Sequence, residues 1–116
     1  MPRYEWFRIT DIPLKSLLEG DSTVIRQSKT EGKNICLVRH KGKIFALNAR
    51  CPHSGGPLSG GVVNENDQIV CPWHRFAFDL NTGNSDSGGY FVETYETKVE
   101  NRSLWVKLKK KWFHFG

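Results

Sequence analysis

A chain of 116 residues is long enough for one domain with a hydrophobic core and too short for several. The net charge of +5 is moderate, and its basic residues are spread along the chain apart from Lys107, Lys109, Lys110 and Lys111, a cluster that does not by itself indicate nucleic-acid binding. No apolar run approaches about 18 residues and no signal peptide or lipidation motif is found, so we expect a soluble, cytoplasmic protein without a membrane partner.

The first half of the sequence predicts short strands separated by turns. The apolar run Ile35-Cys36-Leu37-Val38 indicates a buried strand, and Lys41-Gly42 indicates a tight hairpin after it. The predicted strands are residues 6–9, 23–26, 34–39 and 43–48, with a helical turn within 11–18 that Gly20 ends and a polar turn over 29–33.

The second half continues the same pattern. Residues 68–70 and 76–80 predict a hairpin with residues 71–74 at its tip, and a turn at 81–83 follows. A loose segment over 84–89 then leads to a last hairpin of residues 90–99 and 103–109, with its turn at 100–102. We therefore predict an all-β fold, a single domain over residues 1–116 built as an antiparallel β sandwich or barrel.

Two loops carry similar metal-binding side chains, Cys51-Pro52-His53-Ser54-Gly55-Gly56 and Cys71-Pro72-Trp73-His74. Cys51 and His53 lie two residues apart, so both side chains project to the same side of an extended segment. A turn containing a proline lets Cys71 and His74 do the same. Each loop therefore offers one thiolate and one imidazole.

These donors suit a two-iron cluster in which Cys51 and Cys71 hold one iron and His53 and His74 hold the other. Zinc also binds two cysteines and two histidines, but its usual spacing pairs like with like, whereas both pairs here are mixed. A disulfide between the two cysteines would leave both histidines unexplained. The sequence favours a [2Fe-2S] cluster, with a zinc site as the alternative.

The pattern Cys-x-His, seventeen residues, then Cys-x-x-His resembles that of Rieske proteins over roughly residues 6–108. The resemblance implies one [2Fe-2S] cluster per chain in a small cluster-binding subdomain of about residues 49–80. Asp79 and the sequence Asn81-Thr82-Gly83 are similar to structural elements that follow the second ligand loop in Rieske ferredoxins. Three cysteines, two of them assigned to the metal, indicate a reducing compartment.

The function that this resemblance implies is a soluble Rieske-type ferredoxin that carries single electrons, and not an enzyme. The sequence lacks a second His-His-carboxylate set for the mononuclear iron of a Rieske oxygenase. The expected partners are an NAD(P)H-dependent flavin reductase and a terminal oxygenase or similar acceptor, with no nucleic acid, and the expected state is a monomer. Two alternatives stay open: a small Rieske subunit of a nitrite-reductase-like complex, and a zinc-binding interaction module.

Some residues near the ligands differ from those in respiratory-complex Rieske proteins. A disulfide joins the two loops in those proteins, and its cysteines would fall at Gly56 and Trp73 of this chain. Serine and tyrosine hydroxyls that bond the sulfurs there would fall at Phe76 and Phe78. Because both kinds of feature are missing, we expect a reduction potential near the lower end of the Rieske range.

The remaining conspicuous residues have ordinary interpretations. We expect Gly55, Gly56, Gly60 and Gly61 to allow positive φ angles and a close approach of backbone to the cluster, and Trp73 to shield the site from water. We expect Cys36 to be a buried strand residue and His40 to be a solvated loop histidine. His114 lies in an aromatic tail, and neither histidine has a cysteine at ligand spacing.

Overall fold

The computed structural model describes residues 3–52, 55–73, 75–85 and 89–109, and it is built mainly of antiparallel β-strands. The all-β prediction is therefore confirmed. No helix in these ranges has the length and apolar character needed to cross a bilayer. The elements are β1 (Tyr4–Arg8), α1 (Leu14–Leu18), β2 (Val24–Thr30), β3 (Lys33–His40), β4 (Lys43–Asn48), a 3-10 turn (Leu58–Gly60), β5 (Val62–Val63), β6 (Gln68–Val70), β7 (Ala77–Asp79), β8 (Thr94–Tyr95), β9 (Thr97–Glu100) and β10 (Ser103–Lys109).

Within the described ranges, the strands form three antiparallel sheets. The central sheet has the order β2-β3-β4-β8, the first-and-last sheet has the order β1-β10-β9, and a small sheet has the order β5-β6-β7. The small sheet spans residues 62–79 and therefore lies within the stretch predicted to bind the cluster. Strands β6 and β7 form the predicted hairpin, and its last pair before the tip is Val70 with Ala77.

Strand β3 is buried on both faces, which explains its continuous apolar run. Successive strand residues point to opposite faces, so one face carries Ile35 and Leu37 and the other carries Cys36 and Val38. All four side chains are fully buried. Ile35 and Leu37 pack in a core with the inner residues of β10, whereas Cys36 and Val38 pack in a second core. This second core contains Cys51 and Cys71.

The predicted polar turn over residues 29–33 is wrong in its length. Strand β2 continues to Thr30, which pairs with Lys33, and the turn itself consists of Glu31 and Gly32. Both turn residues have positive φ, 52° and 77°, as a tight two-residue hairpin requires. The strand therefore continues four residues beyond its predicted end at Arg26, and exposed and buried residues alternate from Gln27 to Thr30.

The predicted strand over residues 90–99 is two strands that belong to different sheets. Thr94 and Tyr95 pair with β4 of the central sheet, and Thr97–Glu100 pairs with β10. Glu96 stands between them, and its carbonyl accepts a hydrogen bond from the Lys107 amide at 2.9 Å. The sequence pattern does not indicate this change of sheet, because only one residue separates the two strands.

His40 is not the solvated loop histidine that the sequence suggests. It ends β3 on the face that carries Cys36 and Val38, and its side chain is only 12% exposed. Its Nδ1 lies 2.6 Å from the Thr23 hydroxyl, and its Nε2 lies 3.0 Å from a carboxylate oxygen of Asp67. The imidazole therefore ties the central sheet to the turn that leads into β6.

Asp67 is the other half of this contact. It lies in the turn between β5 and β6 with φ of 60°, and its carbonyl accepts a hydrogen bond from the Leu80 amide at 3.0 Å. The Lys41 ammonium is 2.9 Å from the carboxylate oxygen that His40 also contacts. Hydrogen bonds from Lys41 and then His40 hold the pKa of Asp67 below its usual value.

We expect Asp67→Asn to lower the melting temperature at neutral pH. The folded-state pKa of Asp67 is depressed, so its contribution to stability is present above the unfolded-state pKa and is lost as the pH falls through the folded-state pKa. The difference in melting temperature between wild type and variant should therefore shrink below about pH 4. Thermal unfolding by circular dichroism measures it, with the exposed Asp21→Asn as control; a difference independent of pH would contradict the ionised contact.

Candidate metal centre

The two predicted ligand loops have the same hydrogen-bonded frame. The Cys51 amide donates to the carbonyl of Gly56, and the Cys71 amide donates to the carbonyl of Phe76, both at 2.8 Å. The residue before each cysteine also has an antiparallel partner seven residues later, Arg50 with Pro57 and Val70 with Ala77. Each cysteine therefore occupies the first position of a six-residue hairpin tip.

Both cysteines are buried in the same core. The exposed fraction is 1% for Cys51 and 0% for Cys71, and they share a hydrophobic cluster with Leu58, Ile69 and Phe78. The three cysteines of the described chain are not joined by disulfides. The two buried thiols occupy equivalent loop positions and belong to the same core cluster. They therefore fit the pair of thiolates that one iron of a two-iron cluster needs.

The predicted imidazole donors cannot be placed in the same way. His53 and His74 lie outside the described residues, as does His114. Within the described ranges, no group of three or more histidine, cysteine or carboxylate donors is found that could hold a metal ion. The described geometry therefore supports the cysteine half of the ligand set, and the histidine half depends on the sequence spacing.

Cys36 is set apart from the loop cysteines by its surroundings. It lies in the middle of β3, opposite Gln27 on one side and Leu47 on the other. Burial raises the pKa of its thiol to about 12. Because metals bind the thiolate, a thiol that stays protonated at neutral pH is a poor ligand. The prediction that Cys36 is a buried strand residue is confirmed.

Comparison with known proteins agrees with this geometry. Residues 8–95 match the Rieske [2Fe-2S] domain family. The chain belongs to the Rieske [2Fe-2S] domain family. Members of this family bind a [2Fe-2S] cluster, so the expectation of that cofactor over a lone zinc ion is confirmed.

Relatives of this Rieske domain include free-standing and much longer proteins. The ferredoxin component of the naphthalene 1,2-dioxygenase system of Pseudomonas putida is 31% identical over 102 residues, which cover 86% of this chain and 94% of the relative. Human apoptosis-inducing factor 3 is 32% identical over 78 residues, or 66% of this chain, and the match spans only 13% of that relative's length. Among solved structures, the ferredoxin of carbazole 1,9a-dioxygenase from Nocardioides aromaticivorans has a TM-score of 0.72 at 25% identity, covering 87% of this chain and 95% of its own.

The two loops of this Rieske domain meet where Gly56 faces Trp73. A Cβ on Gly56 would lie 2.8 Å from the indole ring, closer than real Cβ contacts allow. These are the positions where the respiratory-complex Rieske proteins are expected to carry their linking disulfide. Here an indole lying against a glycine joins the loops. Trp73 is nevertheless 53% exposed, so it covers the first loop from the solvent side and is itself available to a partner.

The four loop glycines have different reasons to be glycine. Gly55 has φ of 75°, so it alone of the four confirms the prediction of a positive φ angle. Gly56 and Gly61 are required by close approach, to Trp73 and to the carbonyl of Val70 respectively. A Cβ on Gly60 would make only ordinary contacts, 3.8 Å from Pro57 and 3.9 Å from Pro72.

Gly61→Ala should disrupt the packing of the first loop onto β6. A Cβ there would lie 2.0 Å from the Val70 carbonyl oxygen, which is backbone and cannot rotate away. We expect a loss of about 2 kcal/mol or more in the free energy of unfolding, because one strand must shift. Urea denaturation measures it, and the neighbouring Gly60→Ala is the matched control. Equal stability of the two variants would show that the small sheet adapts without cost.

Proposed function

We propose that this chain is a soluble, cytoplasmic Rieske-type ferredoxin that carries single electrons and is not itself an enzyme. In this proposal Cys51 and Cys71 hold one iron of a [2Fe-2S] cluster, and His53 and His74 hold the other. The ligands lie in a cluster-binding subdomain of about residues 49–80, within a single domain. The observation that carries the proposal is the repeated loop frame that begins at two buried cysteines in a chain of the Rieske family.

The residues around the cysteines suit an electron carrier. The bound cluster supplies a centre that gains and loses one electron without opening a coordination position. The hydrogen bonds that the Cys51 and Cys71 amides donate hold the backbone of both proposed ligands in place. Leu58, Ile69 and Phe78 exclude water from the thiolates. Rigid ligands and a dry surrounding reduce the rearrangement that accompanies a change of charge.

The proposed partners follow from the relatives. The names of two relatives with similar length describe ferredoxins of dioxygenase systems. We therefore propose that this chain passes electrons from a flavin reductase that uses NAD(P)H to a terminal oxygenase or a similar acceptor. The chain works as a monomer in this proposal, and its cluster end contacts each partner in turn.

The test of the cofactor is metal and sulfide analysis of the purified protein. We expect a brown-red protein with about two irons and two sulfides per chain and the visible and electron paramagnetic resonance spectra of a histidine-ligated [2Fe-2S] cluster. Reduction by one electron should be reversible. A colourless protein with stoichiometric zinc would refute the electron carrier and support the interaction module instead.

Cys51→Ser and Cys71→Ser should each abolish stable cluster assembly, because the described core offers no second thiolate at either loop position. Cys36→Ser is the matched control, since this thiol is equally buried but belongs to β3. It should cost about 1 kcal/mol of stability and keep the visible spectrum. Iron content per chain measures the result, and loss of the cluster in the control with retention in Cys51→Ser would overturn the ligand assignment.

The midpoint potential should lie near the lower end of the Rieske range of about −150 to +300 mV. Positions 76 and 78 carry phenylalanine, which has no hydroxyl to donate to a sulfur. Phe78 is fully buried, and the Phe76 ring meets Tyr90 edge-on with centroids 5.5 Å apart. Hydrogen bonds to the sulfurs stabilise the reduced cluster and raise the potential, by about 60 mV for each 1.4 kcal/mol of preference.

A potentiometric titration followed by the visible spectrum gives this midpoint. Phe76→Ser should raise it if the new hydroxyl reaches a sulfur, and the exposed Phe91→Ser serves as control. A wild-type midpoint above about +200 mV, in the upper part of the family's range, would contradict electron supply from a nicotinamide-linked reductase.

A further inference from the structure

The two segments that contain the ligand loops, residues 48–61 and 70–78, carry positive charge and no negative charge. Residues 48–61 and 70–78 contain no aspartate or glutamate, and their only lysine or arginine residues are Arg50 and Arg75. Arg50 directly precedes Cys51, and Arg75 directly follows His74. Each of the two segments therefore has one arginine next to a proposed ligand.

Both arginines are exposed. The backbone of Arg50 forms an antiparallel bridge with Pro57, and the Arg50 amide donates a hydrogen bond to the side chain of Asn48. These contacts fix the backbone at Arg50, while its side chain is exposed. Arg75 has φ of 55°, which turns the chain sharply at the end of the second tip. Neither guanidinium forms an ion pair with a carboxylate within the described residues. Both charges are therefore available to a partner.

Exposed aromatic residues lie beside Arg50 and, two residues before Arg75, in the second loop. Arg50, Pro52 and Phe91 line one groove, and Phe91 is 64% exposed. Arg50 also lines a second groove with Gly56, against which Trp73 lies. We call Arg50, Pro52, Trp73, Arg75 and Phe91 the cluster-end surface. Exposed aromatic side chains together with arginine are the composition that protein interfaces favour.

We propose that the cluster-end surface docks an acidic surface of a redox partner, with Arg50 and Arg75 pairing with its carboxylates. This inference rests on the proposed electron-carrier function and adds the chemistry of the partner. The planar guanidinium matches a carboxylate in two parallel hydrogen bonds, which fixes orientation as well as distance. Complementary charge mainly accelerates association, which suits a carrier that must bind and leave quickly.

One acidic residue borders this surface and does not cancel its charge. Glu93 lines the groove of Arg50 and Phe91, but its carboxylate accepts a hydrogen bond from the Tyr95 hydroxyl at 3.0 Å. Among the described residues that line the two grooves, Glu93 is the single carboxylate and Arg50 the single arginine. Arg75, in the second loop, adds the other positive charge of the cluster-end surface. The surface keeps a net positive charge when an uncharged cluster is bound.

Two small oxidants of opposite charge test the sign of this surface. The protein is reduced, and each reduced chain gives one electron to hexacyanoferrate(III), forming hexacyanoferrate(II), or to hexaamminecobalt(III), forming cobalt(II). At low ionic strength, Arg50→Gln with Arg75→Gln should slow the reaction with the anion at least about threefold and leave or raise the rate with the cation. The difference should disappear at about 1 M salt, where charges are screened.

The matched control is Arg8→Gln with Arg102→Gln, which removes the same net charge from exposed positions on β1 and on the turn before β10. It should keep the wild-type rates with both oxidants. Arg50→Lys with Arg75→Lys should restore the rate with the anion. A control that slows as much as the loop variant would overturn the proposal, because net charge alone would then explain the effect.

A binding measurement gives a second readout that needs no electron transfer. A decaglutamate peptide titrated into the oxidised protein by calorimetry should bind the loop variant at least about threefold more weakly than wild type or control. Equal binding by all three would overturn the acidic partner. Spectra that show an intact cluster in every variant separate this failure from failure of the electron-carrier proposal, in which the wild type itself would lack the cluster.

Discussion

The packing of β3 on both faces is the constraint on which the site depends. Ile35 and Leu37 face the core shared with β10, whereas Cys36 and Val38 face the core that holds the two loop cysteines. A sheet buried on both sides needs apolar residues at every position, and it cannot shift by one residue without exchanging its two faces. The two loop cysteines therefore pack against one face of a strand whose register is strongly specified.

The two loops share one frame but are supported in different ways. The second loop is the tip of the β6–β7 hairpin, so its own sheet holds it. The first loop has an isolated bridge and depends on the central sheet, because the Ala49 amide bonds the carbonyl of Asn34 and the Ser59 hydroxyl bonds Gln27. The contact between His40 and Asp67 then ties the small sheet back to β3. Both loops are thus connected to β3, the first through Asn34 and the second, by way of the small sheet, through His40.

Sequence reasoning located the cysteines and most strands because their signals are local. Residues 43–48 and 68–70 are strands with the predicted ends, since apolar alternation and turn residues mark them directly. The contact of His40 with Asp67 is not predicted from the sequence. The alternation of strand residues does place His40 on the same face of β3 as Cys36 and Val38. No local signal marks the sheet change at Glu96, nor the close approach of Gly61 to Val70, because both depend on contacts between distant segments. The domain division and the histidine ligands stay predictions.

The glycines in and near the ligand loops serve internal packing, whereas the arginines lie on the surface. On the inside, Gly56 lets the Trp73 ring, and Gly61 the Val70 carbonyl, approach more closely than a side chain would allow. On the outside, the side chains of Arg50 and Arg75 are exposed, and hydrogen bonds at Cys51 and Cys71 hold the backbone of the two loops. Because charges held on fixed backbone keep their positions when a partner arrives, less side-chain and loop ordering opposes association. For the electron carrier proposed above, this arrangement would let a partner contact the exposed arginines while the neighbouring cysteines stay buried.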